Sequence, residues 1–139
     1  MMYGDDHRKA IGAFHLPAES LPRFVEVDAF RARWKAADLT DADLHVLQLT
    51  LAAHPAAGDV VSGTNGVRKV RFAAPGSGRG KSGSYRVLYL NIVEHEVVFL
   101  LSVLAKNERA NLTKAERNEI ARWVGELKAD LDRARERPS

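Results

Sequence analysis

The sequence of 139 residues contains no cysteine, which excludes disulfides and metal sites built on thiolates. Its five histidines show no metal-ligand spacing on one helix face, so we expect no metal site. No apolar run approaches the ~20 residues that cross a bilayer. The N-terminus carries Asp5 and Asp6 and does not resemble a signal peptide. These absences predict a cytoplasmic globular protein that needs neither a metal nor another cofactor and has no membrane partner.

Acidic residues are absent from positions 60–93, although they are common elsewhere. This segment holds six of the 21 basic residues, so the remainder carries 15 basic against 18 acidic residues. A net charge of +3 therefore conceals one concentrated cationic segment. Such a segment indicates a polyanionic partner, most simply a nucleic acid.

The glycine-rich stretch "GSGRGKSG" at 76–83 resembles a nucleotide-binding loop, but both templates fail. A Walker loop requires glycine where Pro75 stands. The dinucleotide pattern fits Gly78, Gly80 and Gly83, yet "SYRVLYL" follows, which is typical of a strand and not of the required helix. We interpret the stretch as a connection between strands in which Arg79 and Lys81 are free to contact phosphates.

Hydrophobic periodicity predicts the element order β-α-α-β-β-β-α in one domain spanning 23–137, after a flexible extension at 1–22. Asp28 is expected to cap the first helix. The pairs Thr40 with Asp43 and Thr113 with Glu116 are typical of capping boxes that open the second and third helices. We expect an α+β fold whose helices pack against one face of a twisted, mainly antiparallel sheet.

Strand alternation brings cationic side chains together on one face of the predicted sheet. Lys69 and Arg71 lie opposite the apolar Val70 and Phe72, and Arg86 comes from the next strand. Like charges at neighbouring positions repel, which favours a polyanion-binding role over a merely solvated strand face. Lys106, just past the third strand of this meander, can reach the same place.

Cationic side chains without a metal can cleave RNA. The 2′-OH attacks its own phosphate while a base takes its proton, cations stabilise the phosphorane, and an acid protonates the leaving 5′-oxygen. Lysine can serve as the base, and arginine binds phosphate bidentately. Tyr85 or Tyr89 can stack on a nucleobase or help proton transfer, although strand tyrosines are more often core residues.

Two segments, "GDVVSGTNGVRKVRFAAPGSGRGKSGSYRVLYL" and "FLLSVLAKNERANLTKAE", resemble the RelE/ParE superfamily of type II toxin–antitoxin toxins, in its HigB-like branch. The resemblance covers about 23–125 and rests on the glycine-rich "GKSGSYRV" and the ending "AKNE". It implies a RelE-like fold and a ribosome-dependent, metal-independent mRNA endonuclease that cleaves A-site codons. It also implies inhibition by a cognate antitoxin, a HigA-like helix-turn-helix protein.

The resemblance also implies roles for individual residues. Lys69 or Arg71 would lie near the 2′-OH, Arg86 on the scissile phosphate, and Lys106 would stabilise charge or act as the acid. Relatives commonly carry an aromatic residue where Leu104 stands here, so a codon contact is expected to be missing. Further RNA contacts are expected from Arg68, Arg79, Lys81, Tyr85 and Tyr89.

Two alternatives remain open from the sequence. A ParE-like gyrase poison shares the architecture but does not need this basic set. A non-catalytic ribosome- or RNA-binding relative is favoured by Leu104 in the place of the aromatic residue. DNA binding by the chain itself is disfavoured, because no helix-turn-helix pattern is present.

Overall fold

The computed structural model describes residues 21–74, 84–105, 108 and 111–136. The predicted element order is confirmed, with one short strand added. The predicted extension at 1–22 lies almost wholly outside the described residues. The elements in chain order are β1 (Arg23–Glu26), α1 (Asp28–Ala36), α2 (Asp41–Ala53), β2 (Asp59–Val60), β3 (Arg68–Ala73), β4 (Ser84–Ile92), a 3-10 turn (Val93–His95), β5 (Val97–Ala105) and α3 (Lys114–Glu136).

The capping boxes predicted for the second and third helices are confirmed. The Thr40 hydroxyl accepts from the Asp43 amide at 3.0 Å, and the Asp43 carboxylate accepts from the Thr40 amide at 3.0 Å. Thr113 and Glu116 make the same reciprocal pair at 2.8 and 3.1 Å. The cap predicted for α1 is wrong: Val27 occupies the N-cap position, and Asp28 lies in the first turn.

Five strands form one sheet in the order β1-β5-β4-β3-β2. Strand β1 runs parallel to β5, and the other three pairings are antiparallel. The short strand β2, which the sequence indicates only as part of a turn-rich loop, pairs with the start of β3. Gly58 precedes it with a φ of +75°, and a Cβ there would lie 2.2 Å from the Lys69 carbonyl oxygen, so only glycine fits.

The sheet is covered on both faces, which corrects the expectation that all helices pack on one face. Helices α1 and α2 cover the first face, where Phe30 and Trp34 stack with ring centroids 5.3 Å apart and pack with Phe72. Helix α3 covers the second face, where its fully buried Val124 belongs to the same hydrophobic cluster as Phe99. The first face carries the larger aromatic core, and the second is covered by a single helix.

An irregularity between β4 and β5 changes which side chains of β5 face α3. Leu88 is opposite Ser102 and Tyr89 is opposite Leu100, so Leu101 is an extra residue. A one-residue insertion reverses the alternation of faces beyond it. As a result, Val103 joins the core on the α1–α2 face, and Leu104 turns to the α3 face. The bulge therefore decides what lies beside Arg86.

Within the described chain, no helix is both long enough and apolar enough to cross a membrane.

Candidate nucleic-acid interface

Two transverse rows of side chains cross the sheet on the face that carries α3. In the first row Arg71 is the partner of Arg86, and Arg86 is the partner of Leu104. In the second row Lys69 is opposite Leu88. Successive positions on one face of a strand are about 7 Å apart. The sheet therefore brings together the three predicted catalytic cations that the structure describes.

The face on which these cations lie follows from their strand neighbours. Val70 packs against the core under α1 and α2, as do Phe72 and Val87. Side chains alternate along a strand, so Lys69, Arg71 and Arg86 lie on the opposite face. Arg71 is exposed, and Lys69 and Arg86 are half-buried. The prediction that the two β3 cations share a face opposite Val70 and Phe72 is confirmed.

None of these three cations is neutralised within the part of the chain that the structure describes. No ion pair joins Lys69, Arg71 or Arg86 to a described carboxylate. Asp59 is the backbone partner of Lys69 on β2, yet the two side chains form no ion pair. A row of like charges without counter-ions is unfavourable for folding and favourable for binding a polyanion.

Arg68 and Tyr89 belong to the other face of the sheet and hold the turn before β2. The Arg68 guanidinium donates to the carbonyls of Ala56 at 3.1 Å and Gly58 at 2.9 Å. The Tyr89 hydroxyl donates to the carbonyls of Pro55 at 3.0 Å and Ala57 at 2.6 Å. Both side chains thus satisfy backbone carbonyls of one short turn.

The expected RNA contact by Tyr89 is corrected by its burial. Its side chain is fully buried, and burial raises the pKa of its hydroxyl despite the opposing charge of Arg68. A nucleobase cannot stack on a ring enclosed in the core. Tyr85 is half-buried and packs against the same core, on the face opposite Arg86. The structure does not bring either tyrosine to the cationic row.

Three predicted site residues, Arg79, Lys81 and Lys106, lie outside the described residues. Glu108, three positions after the last residue of β5, bonds to that strand and to α1. Its carboxylate accepts from the Ala105 amide at 2.7 Å and from Arg33 of α1 at 3.0 and 3.1 Å. The Ala105 amide first, and the Arg33 guanidinium second, hold the pKa of Glu108 below its usual value.

A groove of about 910 Å³ adjoins the cationic row between α3 and the β1–α1 junction. Leu88 and Leu104, which neighbour Lys69 and Arg86 in the two rows, line it together with Trp123. Trp123 is 37% exposed and meets Phe99 edge-to-face, with centroids 6.2 Å apart. The sequence indicates Trp123 as a core position of the last helix, so its place at the groove was not predicted.

Among the described residues, no group of His, Asp or Glu side chains could hold a metal ion. The groove beside the cationic row is lined by apolar side chains and also by three carboxylates of α3, Glu116, Glu119 and Glu126.

The chain is similar to a known protein family. The family described as "RelE toxin of RelE / RelB toxin-antitoxin system" matches residues 27–134, which is most of the chain. This chain belongs to the RelE toxin family. A mutant of the Escherichia coli toxin RelE, solved in the free state, aligns with a TM-score of 0.44 and 19% sequence identity, covering 78% of this chain and 97% of that chain.

The RelE family match includes all the elements from α1 to α3, apart from the last two residues of that helix. The sequence resemblance to RelE-like toxins is thereby confirmed at the level of the family, with the α+β fold that it implies. Lys69, Arg71 and Arg86 all fall inside the matched range, and so does the Arg33–Glu108 pair.

Proposed function

We propose that this RelE-family toxin is an endoribonuclease that acts on the ribosome and cleaves mRNA at the A-site codon. The observation that carries the proposal is the row of Lys69, Arg71 and Arg86 on one sheet face, without described counter-ions. This arrangement suits a substrate whose reacting group is a phosphodiester. The match to the RelE toxin family supports the same activity.

The reaction proposed is an internal displacement at phosphorus that needs no metal. The ribose 2′-oxygen loses its proton to a base and forms a bond to phosphorus, and the bond to the 5′-oxygen breaks. The products are a 2′,3′-cyclic phosphate and a 5′-hydroxyl that has gained a proton. Arginine does not deprotonate in proteins. We therefore assign the base to Lys69 and phosphorane stabilisation to Arg71 and Arg86, with Lys106 as the further cation or acid.

The proposed partners follow from the same assignment. The ribosome supplies the mRNA in an extended form, and a cognate antitoxin holds the toxin inactive. The HigB-like signature supports an antitoxin of the HigA-like helix-turn-helix type. Both partners place the toxin's action in the cytoplasm.

The test uses purified toxin, ribosomes programmed with a defined A-site codon, and mapping of mRNA 5′ ends. The wild type is expected to cut within the A-site codon, also in the presence of a chelator for transition metals. Arg86→Gln is expected to abolish the cut. Arg31→Gln is the matched control. Arg31 is exposed on α1, and this helix packs on the face of the sheet opposite the cationic row. Intact mRNA with the wild type would overturn the proposal.

Leu104 supports one alternative, a relative that binds the ribosome without cleaving. It lines the groove where relatives carry an aromatic residue. Sedimentation of the wild type with ribosomes, together with intact mRNA, would identify this alternative. A gyrase poison is distinguished in the same cells by a DNA-damage response with intact mRNA.

A further inference from the structure

Arg33 of α1 reaches across the end of β5 and contacts two parts of the chain. One terminal nitrogen, Nη1, donates to the Val103 carbonyl at 3.1 Å. The same nitrogen lies 3.1 Å from Oε1 and 3.0 Å from Oε2 of Glu108. Arg33 therefore ties α1 both to the end of β5 and to Glu108.

Glu108 in turn closes the chain onto the end of β5. Its Oε1 accepts from the Ala105 amide at 2.7 Å, and its own amide donates to the Ala105 carbonyl at 3.0 Å. These two hydrogen bonds span positions 106 and 107 in the sequence, which lie outside the described residues. The side chain and the backbone amide of Glu108 thus both bond to Ala105, and the same side chain also accepts from Arg33.

The exposure of the pair argues against a role that is mainly thermodynamic. The Arg33 and Glu108 side chains are 44% and 38% exposed. Ion pairs as exposed as this contribute little to folding stability, because water screens them. The geometry is nevertheless more specific than a surface contact, since the two side chains make four hydrogen bonds, of which two go to the backbone of Val103 and Ala105. Such an arrangement fixes position more than it adds stability.

The Arg33–Glu108 arrangement positions the end of the first transverse row, at Leu104. Leu104, between the two anchored backbone positions Val103 and Ala105, is the partner of Arg86. Displacement of Leu104 would move the β5 side of the site relative to Arg86 and Arg71.

We propose that Arg33, acting through Glu108, is a positioning residue for RNA cleavage. It holds the carboxyl end of β5 so that Leu104 keeps its register with Arg86. The proposal rests on the proposed function, because positioning is defined here by its effect on the cleavage step. Arg33 itself does not contact the substrate in this assignment.

The test separates the rate of cleavage from binding. Single-turnover cleavage on programmed ribosomes is measured over a range of toxin concentrations for Arg33→Ala and Glu108→Gln. The saturating rate is expected to fall roughly 10- to 100-fold, because small misplacements of reacting groups have effects of that size. The half-saturating concentration is expected to stay at the wild-type value, since the cationic row is intact.

Three controls make the result specific. Arg33→Lys should recover part of the rate, because an ammonium can still donate to Val103 and Glu108. Arg31→Ala, an exposed arginine on the same helix, should leave the rate unchanged. The double variant Arg33→Ala with Glu108→Gln should be no slower than Arg33→Ala alone, because the two side chains act as one unit.

A second measurement does not depend on activity. Hydrogen exchange at the Ala105 amide should be faster in Glu108→Gln and Arg33→Ala than in the wild type, while the melting temperature stays nearly unchanged. An inactive wild type with protected Ala105 would refute the proposed function and leave the anchor standing. An active wild type whose Arg33→Ala variant cleaves at the same saturating rate would overturn the positioning role.

Discussion

Arg71 and Arg86 are direct partners in the antiparallel pairing of β3 with β4. Their side chains leave the same face of the sheet, and no described carboxylate forms an ion pair with either. Favourable cross-strand pairs contribute roughly 0.2–1 kcal/mol, whereas like charges directly opposite each other destabilise a sheet. A chain that keeps this pair gives up stability at this position, and a phosphate bound between the two guanidinium groups would remove the repulsion.

Replacement of Arg71 by glutamine is expected to raise stability and lower activity together. The free energy of unfolding should rise by roughly 0.5 kcal/mol, because the repulsion with Arg86 disappears. The cleavage rate on programmed ribosomes should fall at least 10-fold, an estimate based on the loss of one charge-stabilising group. Urea denaturation and cleavage assays measure the two effects, with Arg31→Gln as the control. A less stable Arg71→Gln variant would contradict the view that Arg71 serves function at the expense of folding.

Removal of the Tyr89 hydroxyl is expected to lower stability and leave the cleavage activity unchanged. Tyr89→Phe leaves the carbonyls of Pro55 and Ala57 without their donor, which should cost about 1–3 kcal/mol of unfolding free energy. Cleavage at a temperature where the variant stays folded should match the wild type, because the ring lies on the other side of the sheet from the cations. Tyr85→Phe serves as the comparison. Cleavage that fails in a folded Tyr89→Phe variant would restore a direct role for this residue.

An aromatic side chain at position 104 is expected to change codon preference. Leu104 is half-buried, lines the groove and is the partner of Arg86, so Leu104→Tyr would place a ring beside the cationic row. Rings stack on nucleobases by about 1–3 kcal/mol per base. Mapping of cleavage sites across cellular mRNA should show a shifted codon profile and a higher rate. Leu104→Met, which fills similar space without a ring, should leave the profile unchanged, and an unaltered profile in both variants would refute the role of this position.

The carboxylate of Glu108 is expected to titrate below its ordinary pKa of 4.5. A depressed folded-state pKa stabilises the native protein above the unfolded value, and this contribution is lost as the pH falls through the folded pKa. Carbon-detected NMR of the Glu108 carboxyl measures the titration. In Arg33→Ala the pKa should rise but remain below 4.5, because the Ala105 amide is the largest cause of the shift. A pKa that returns fully to 4.5 in that variant would show that Arg33, and not the amide, dominates.

Local sequence signals predicted those features that depend on neighbouring residues. Thr40 with Asp43 predicted a helix start, and the alternation around Val70 predicted which side chains share a face. The parallel pairing of β1 with β5 could not be predicted this way, because its partners, such as Arg23 and Val97, are far apart in the chain. Nor does any local signal tell which face of the sheet the last helix covers.

The arrangement of the candidate site likewise depends on contacts between distant residues, which local sequence patterns do not reveal. Strand β5 reads "VVFLLSVLA", which is apolar at nearly every position, so its pattern does not reveal that Leu101 is the extra residue of a bulge. The identity of the residue beside Arg86 follows only from pairing with β4. Glu108 was visible as the last letter of "AKNE", but its partner Arg33 lies 75 residues earlier and is linked to it only by the fold.

The place of β5 in the sheet has a consequence for the timing of activity. This strand is made after all the others, yet it lies between β1 and β4 and connects them. The β3–β4 hairpin can form while the chain is still being synthesised, but the row from Arg71 to Leu104 is complete only after β5 is inserted beside β1. Pairing between such distant segments is slow compared with hairpin or helix formation. A newly made copy can therefore form the cationic hairpin before Leu104 stands beside Arg86, so the complete row is a late product of folding.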